Sequence, residues 1–377
     1  MKVEIIFLSE NNFKNNPMIT TPTLFIDVAK CKANIKKMFL KAQEHQLDFR
    51  PHFKTHQSLT IGQWFKELGV SKITVSSLSM ANYFSAEWND ITVAFPTNVL
   101  EIKTINELAK RITLNLAVES METLSFLTKN GTANVNVFLK IDVEYHRTGI
   151  NPNEVNLIDE MLEHIDKSSL VNFKGFLGHA GHSYQCRSEE SIKKVHHIAL
   201  TIMSKLKSRY GSQYPNLIIS LGDTPCCSVA EDFSGVDEIR PGNFVFYDLT
   251  QNRIGSNTIS QIAVALACPI VAIHKERAEV VIYGGGVHLS KERLSGEQEG
   301  TIYGRVVEKL EKGWGDIIPD VYVTRLSQEH GIISVPNNQI EEYKVGDYLM
   351  VLPIHSCMTA NLMKSYTTLE GITISRL

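Results

Sequence analysis

The chain has 377 residues, 43% of them hydrophobic, so it exceeds a minimal domain and is expected to form one large and one smaller globular unit. Its formal net charge is -3, with lysines and arginines spread along the chain, which argues against a nucleic-acid or anionic-membrane surface and for a small-molecule partner. The apolar run at 5–8 is too short for a signal segment or a membrane span, and six cysteines without a CxxC pair predict free thiols in a reducing cytoplasm.

The first strand-like run, 22–27, precedes a lysine-rich amphipathic helix. Short β-branched or apolar runs then alternate with longer amphipathic segments, the pattern of βα units on a parallel sheet. Strands are predicted at 48–53, 73–76, 91–95, 114–118, 135–141, 173–178, 217–221 and 238–240. Helices are predicted between them, at 59–68, 101–110, 154–165 and 191–209 among others, from apolar residues recurring at three- and four-residue steps. Eight strands with intervening helices suggest a (β/α)8 TIM-type barrel over 22–254. An open doubly wound sheet is the alternative, but the GxGxxG turn expected after its first strand is absent. From 255 to 377 the texture changes to strand-like runs, at 262–273, 279–283, 320–326, 331–335 and 348–352, without long helical spacers. This predicts a β-rich C-terminal domain, and the strand at 22–27 is a candidate to pair with it.

Barrels of this kind place their sites at the C-terminal ends of the strands. The polar residues there are Lys54 and His56 after the first predicted strand, Asp142, Glu144, His146 and Arg147 after the fifth, and His179, His182 and Tyr184 after the sixth. Gly222, Asp223 and Thr224 follow the seventh strand, and Gly242 and Asn243 the eighth. Small residues in the last two loops let backbone N–H groups approach an anion such as phosphate, although ordinary turn chemistry uses the same residues. A lysine at a strand end, desolvated among Pro, His and Thr, can serve as an imine-forming amine. Taken alone, Lys54 is read more simply as a surface lysine.

Ordered motifs change that reading. The runs RPHFKTH (50–56), GHAGHSY (178–184), LGDTP (221–225), RPGNFVFYD (240–248), SQEHG (327–331) and PIHSC (353–357) together resemble the D-serine dehydratase and D-threonine aldolase family. The resemblance spans nearly the whole chain after residue 21. It implies a fold-type III, alanine-racemase-like architecture that binds pyridoxal phosphate and usually works as a head-to-tail homodimer. Carried over by motif, Lys54 forms the Schiff base with the cofactor, Tyr184 lines it, Thr224, Gly242 and Asn243 surround its phosphate, and Arg147 lies near the pyridine ring.

The same resemblance makes His355 and Cys357 the metal ligands. Two apart in a segment predicted to be extended, they are expected to face the same way. Nitrogen plus thiolate suits Zn2+, with Mn2+ or Mg2+ as alternatives, and two protein ligands leave positions open for water and substrate. Aldolase relatives tend to carry Asp where Cys357 stands, so the motif points to a lyase that dehydrates a D-amino acid, D-serine to pyruvate and ammonia. The alternatives are a D-threonine aldolase, a D-threo-3-hydroxyaspartate dehydratase and, in a different class, a non-catalytic pyridoxal-phosphate homeostasis protein, which normally lacks the β domain. Two positions depart from the family pattern: Gln57, where many relatives have lysine, and Ile354, where Asn commonly precedes the metal histidine. The Glu329–His330 pair either faces the site or forms a polar turn.

Overall fold

The computed structural model describes residues 19–296 and 300–377; the apolar run at 5–8 lies outside them. The first strand, β1 (Thr23–Ile26), leads through Asp27 into a long helix, Val28–Glu44, whose first turn Asp27 caps by accepting from the Lys30 amide. The helix buries Cys31, Ile35, Met38 and Ala42, residues three to four apart that form one apolar stripe.

Eight parallel strands follow: β2 (Asp48–Phe49), β3 (Lys72–Val75), β4 (Asp90–Pro96), β5 (Thr113–Val118), β6 (Val135–Ile141), β7 (Val171–Gly178), β8 (Ile218–Leu221) and β9 (Glu238–Ile239). Their order is β2-β9-β8-β7-β6-β5-β4-β3. A bridge between His52 and Thr74 brings the two edges together, with Phe53 donating to the Thr74 carbonyl at 2.8 Å and Thr74 to that of Pro51 at 2.9 Å. The result is a nearly closed eight-stranded barrel, ringed by helices such as Leu59–Lys66, Ile102–Ala109, Val155–Asp166 and Glu189–Tyr210. Each of these four lies within two or three residues of the segment read from apolar spacing.

Inside the barrel a chain of polar groups replaces apolar packing. Arg50 donates to Glu238 at 2.6 Å and to Asp90 at 2.7 Å, Glu238 accepts from Ser220, and Ser220 accepts from Arg240, which also donates to the Gly178 carbonyl at 2.7 Å. Arg50, Glu238 and Ser220 are fully buried, so the ions are tolerable only because each is paired.

Beyond the barrel come β10 (Val264–His274), β11 (Glu279–Tyr283), the hairpin strands β12 (Leu294–Gly296) and β13 (Gly300–Ile302), then β14 (Gly304–Lys309), β15 (Trp314–Leu326), β16 (His330–Ser334), β17 (Tyr348–Pro353), β18 (Ser365–Thr368) and β19 (Thr373–Ser375). The large sheet runs β11-β16-β15-β14-β17-β10-β1-β18-β19 and closes on itself through β10 and β11. β1 belongs here: it pairs antiparallel with β10 and parallel with β18. The six cysteines are all free. No helix among the described residues is long and apolar enough to cross a membrane.

Candidate active site

The C-terminal ends of the barrel strands and a corner of the large sheet enclose a cavity of about 820 Å³. Lys54, Arg147, Tyr184, Thr224, Gly242, Asn243, His355 and Cys357 all line it, so residues scattered over three hundred positions meet in one place.

Lys54 sits in the turn that follows β2. Its side chain is accessible, but only to the cavity, whose walls surround it; that burial lowers its pKa, with Arg147 adding to the effect and the charge of Cys357 opposing it. Below it stand two neutral imidazoles. Burial and the neighbouring Lys54 hold His52 well below its usual range and His179 down at about 3, and His179 Nδ1 lies 3.0 Å from the Gly222 carbonyl.

The loops after β8 and β9 are shaped for close backbone approach. Gly222 has φ of +150°, and a Cβ there would meet the Arg240 nitrogen at 2.6 Å; a Cβ on Gly242 would meet His52 at 2.9 Å. The Thr224 hydroxyl accepts from the Gly242 and Phe244 amides, each at 3.3 Å, and also bonds Tyr184, whose phenol burial keeps protonated. Lys140, Arg147, Arg187, Arg240 and Arg293 line the same space against only two carboxylates, Asp223 and Glu292. That excess of cations favours an anionic ligand. Among the described residues the buried Asp223 Oδ2 and Asn243 Oδ1 have no hydrogen-bond partner, which fits walls formed around a polar group. Amine, anion cradle and unpartnered polar atoms together fit a phosphorylated aldehyde.

His355 and Cys357 come from the corner after β17, and here the structure corrects the expectation. The segment is not extended: His355 caps a helix, Ser356–Leu362, and Cys357 lies in its first turn. The pair meets because the turn brings both side chains together. Burial alone would lower the His355 pKa, but the hydrogen bond to Cys357 lifts it to about 9, and the same bond lowers the Cys357 thiol against its burial. A thiol whose pKa is lowered by its neighbour gives up its proton more readily to a soft metal ion. Around it, Thr55 Oγ1 lies 3.3 Å from Cys357 Sγ, and the Asn243 amide donates to Asp248 at 2.6 Å, to Ser356 at 3.1 Å and to Cys357 at 3.4 Å. Among the described residues no cluster of three or more His, Cys, Asp or Glu could hold a metal, so an ion here would have two protein ligands, with the rest from water or substrate. Ile354 is buried, and its carbonyl accepts from the Thr250 amide and hydroxyl at 3.1 and 2.8 Å, tying the corner to the barrel.

Some polar residues at the strand ends do not face the cavity. His56 is enclosed by Phe53, Phe65 and Phe84. Asp142 folds its own loop, accepting from the Tyr145 and His146 amides and from the His146 ring at 2.8 Å, while Glu144 and His146 take positive φ. His182 stacks on Tyr145. Glu329 pairs with His288 at 3.7 Å, and neither Glu329 nor His330 lines the cavity. Conversely, Lys140, Arg240 and His52 were not singled out. Lys140 is the penultimate residue of a predicted strand and Arg240 the last of another, and in-out alternation around a closed barrel could have found both.

A barrel carrying a lysine that opens into the cavity and a basic anion cradle, completed by a β domain that brings a His–Cys pair, defines a two-domain protein of alanine-racemase-like fold. The family "Alanine racemase, N-terminal domain" matches residues 26–249, and the family "Putative serine dehydratase domain" matches residues 263–369. The D-serine dehydratase of Dictyostelium discoideum is 31% identical over 97% of this chain and 96% of its own length. The D-threo-3-hydroxyaspartate dehydratase from Delftia sp. HT23 has a solved structure that matches with a TM-score of 0.88 at 25% identity, covering 96% of this chain and 99% of its own. A D-threonine aldolase from Filomicrobium marinum shares the fold, with a TM-score of 0.78 at 17% identity over 94% of each chain. The chain belongs to the D-serine dehydratase and D-threonine aldolase family.

Proposed function

We propose that this chain is a pyridoxal-phosphate- and metal-dependent lyase that dehydrates a D-amino acid, with D-serine converted to pyruvate and ammonia. The observation that carries the reading is the convergence of Lys54 and the His355–Cys357 pair on one cavity, near enough for the charge of Cys357 to act on Lys54. When bound, the cofactor would supply an electron sink at Cα, and a divalent cation, zinc by the softness of the donors, would supply a Lewis acid for the departing hydroxyl.

Lys54 is the covalent anchor. Its Nζ is also the group that would accept the Cα proton, and the burial that lowers its pKa favours the unprotonated amine which that role needs. The electron pair of the Cα–H bond becomes the new Cα–Cβ π bond, the Cβ–O pair leaves with the hydroxyl, which takes up one proton in balance with the one removed from Cα and departs as water, and the released unsaturated amine adds water to give pyruvate and ammonia. Thr224, Gly242 and Asn243 would hold the phosphate, while Tyr184 and Arg147, which line the same cavity, would shield the cofactor from water. His355 and Cys357 would hold the ion, as neutral imidazole and thiolate. The family's D-threo-3-hydroxyaspartate dehydratase, of which one solved variant is described as metal-free, supports the metal assignment. Reduced cysteines and the family resemblance support a cytoplasmic homodimer.

A second carboxylate on the substrate would meet Arg187 or Arg293, which makes D-threo-3-hydroxyaspartate the other substrate to test. Protein replete with cofactor and metal should release equal amounts of pyruvate and ammonia from D-serine. Faster oxaloacetate formation from D-threo-3-hydroxyaspartate would reassign the substrate, and glycine with an aldehyde but no keto acid from D-threonine would overturn the dehydratase reading.

A further inference from the structure

Gln57 stands three residues beyond Lys54 and is buried in a conformation few side chains adopt, with φ of +48°. Its backbone amide donates to the Phe53 carbonyl at 2.9 Å, which closes the turn. Its side-chain amide donates twice, to the Lys54 carbonyl at 3.1 Å and to Asn361 Oδ1 at 2.9 Å. Asn361 lies four residues after Cys357 on the Ser356–Leu362 helix, so the two share a helical face. The lysine turn is therefore tied to that helix at two points one helical turn apart: Thr55 to Cys357, and Gln57 to Asn361. Further bonds support the second tie. Arg376 donates to the Asn361 carbonyl at 3.2 Å and to its side chain at 3.3 Å, the Leu377 amide to the Gln57 carbonyl at 2.8 Å, and Tyr366 to the His56 carbonyl at 2.6 Å.

We propose that Gln57 is a positioning residue which, through Asn361, fixes the register between the turn carrying Lys54 and the helix carrying Cys357. The inference rests on the elimination proposed above, because that reaction needs the base at Cα and the group assisting the Cβ hydroxyl at a fixed separation. Proton removal needs only the lysine turn; loss of hydroxide needs both segments in register. Gln57 acts only as a donor to its two acceptors. A lysine ammonium, also a donor alone, can replace it, whereas an ionised glutamate cannot.

The test uses the holoenzyme with D-serine in deuterium oxide, measuring deuterium gained at Cα of unreacted substrate against pyruvate formed. The ratio of exchange to elimination should rise roughly tenfold in Gln57→Glu and in Asn361→Leu, and no further in the double variant, since both changes cut one tie. Gln57→Lys should restore the wild-type ratio. In cofactor-free protein, amide hydrogen exchange over residues 54–58 should quicken in the first two variants and not in the third. Asn361 is solvent-exposed, so its variant should fold even if Gln57→Glu does not. An unchanged ratio in Asn361→Leu, or equal damage from Gln57→Lys and Gln57→Glu, would overturn the proposal. If the wild type forms no keto acid, the elimination reading fails, while the amide-exchange comparison still reports on the tie.

Discussion

The two halves of the cavity are held in different ways. At the barrel end, Lys54, His52, His179 and Arg240 stand just beyond the ends of strands that the buried Arg50–Glu238–Ser220–Arg240 chain links, so their positions follow from barrel closure. At the sheet corner, His355 and Cys357 sit in one short turn and lean on borrowed neighbours, Thr55, Asn243 and Asp248. The barrel half is thus rigid through its own architecture. The corner half is placed by the barrel it touches.

Lys54→Ala should separate the halves most sharply. Turnover should fall by about ten-thousandfold, and the visible band that borohydride removes should vanish, because the covalent anchor is lost. Retention of that band in the variant would remove Lys54 from its role. Glu238→Ala tests the rigidity ascribed to the barrel: Arg50 would keep Asp90 but lose its buried partner, and Ser220 would lose the acceptor that links it to Arg240, which should cost about 3 kcal/mol, read as a lower urea midpoint. A loss within error would show that closure does not depend on the polar chain. Cys357→Ala should leave the cofactor band in place yet lower turnover by about a hundredfold and abolish the response to a chelator. Loss of the band as well would mean that the halves are not independent.

The smallest effect concerns pH. His179 and His56 are both held neutral in the fold, at about 3, whereas in the unfolded chain each binds a proton near pH 6.5. As pH falls from about 6.5 toward 3 the unfolded state takes up more protons, so stability declines by up to about 1.4 kcal/mol per pH unit for each group. Stability above pH 7 should be unaffected by these two. Urea midpoints between pH 7 and pH 4 should drop less steeply in His56→Phe, which keeps the aromatic packing without the proton site; an unchanged slope would contradict the assignment.

The same contrast decides what could be read from the sequence. All eight barrel strands were legible, most of them because a buried parallel strand is a largely apolar run, as in 91–95, and the site residues could be sought at its end. Lys140 and Arg240 escaped because a charged residue in a strand reads as solvent-facing until closure turns that face inward. His56 misled in the opposite sense, since Phe53 of its own turn and Phe65 and Phe84 of the next two helices close an aromatic cage around it. In the β domain, β14 was missed because only two apolar residues are flanked by charges, and the Ser- and Thr-rich β18 and β19 look like loop. The helix at Ser356–Leu362 was read as extended because it is short and follows the apolar β17 directly.

β1 has a consequence for biosynthesis. It is made first but completes its pairing only with Val264–Ala267 and Thr367–Thr368, after the whole barrel has been translated. During synthesis the barrel can fold while β1 waits unpaired, and the sheet that presents Cys357 closes last. A nascent chain stalled near residue 260 would therefore carry a finished lysine half with an open wall, while the corner arrives as the final act of assembly. The order of translation completes the barrel wall of the cavity before the corner that carries His355 and Cys357 exists.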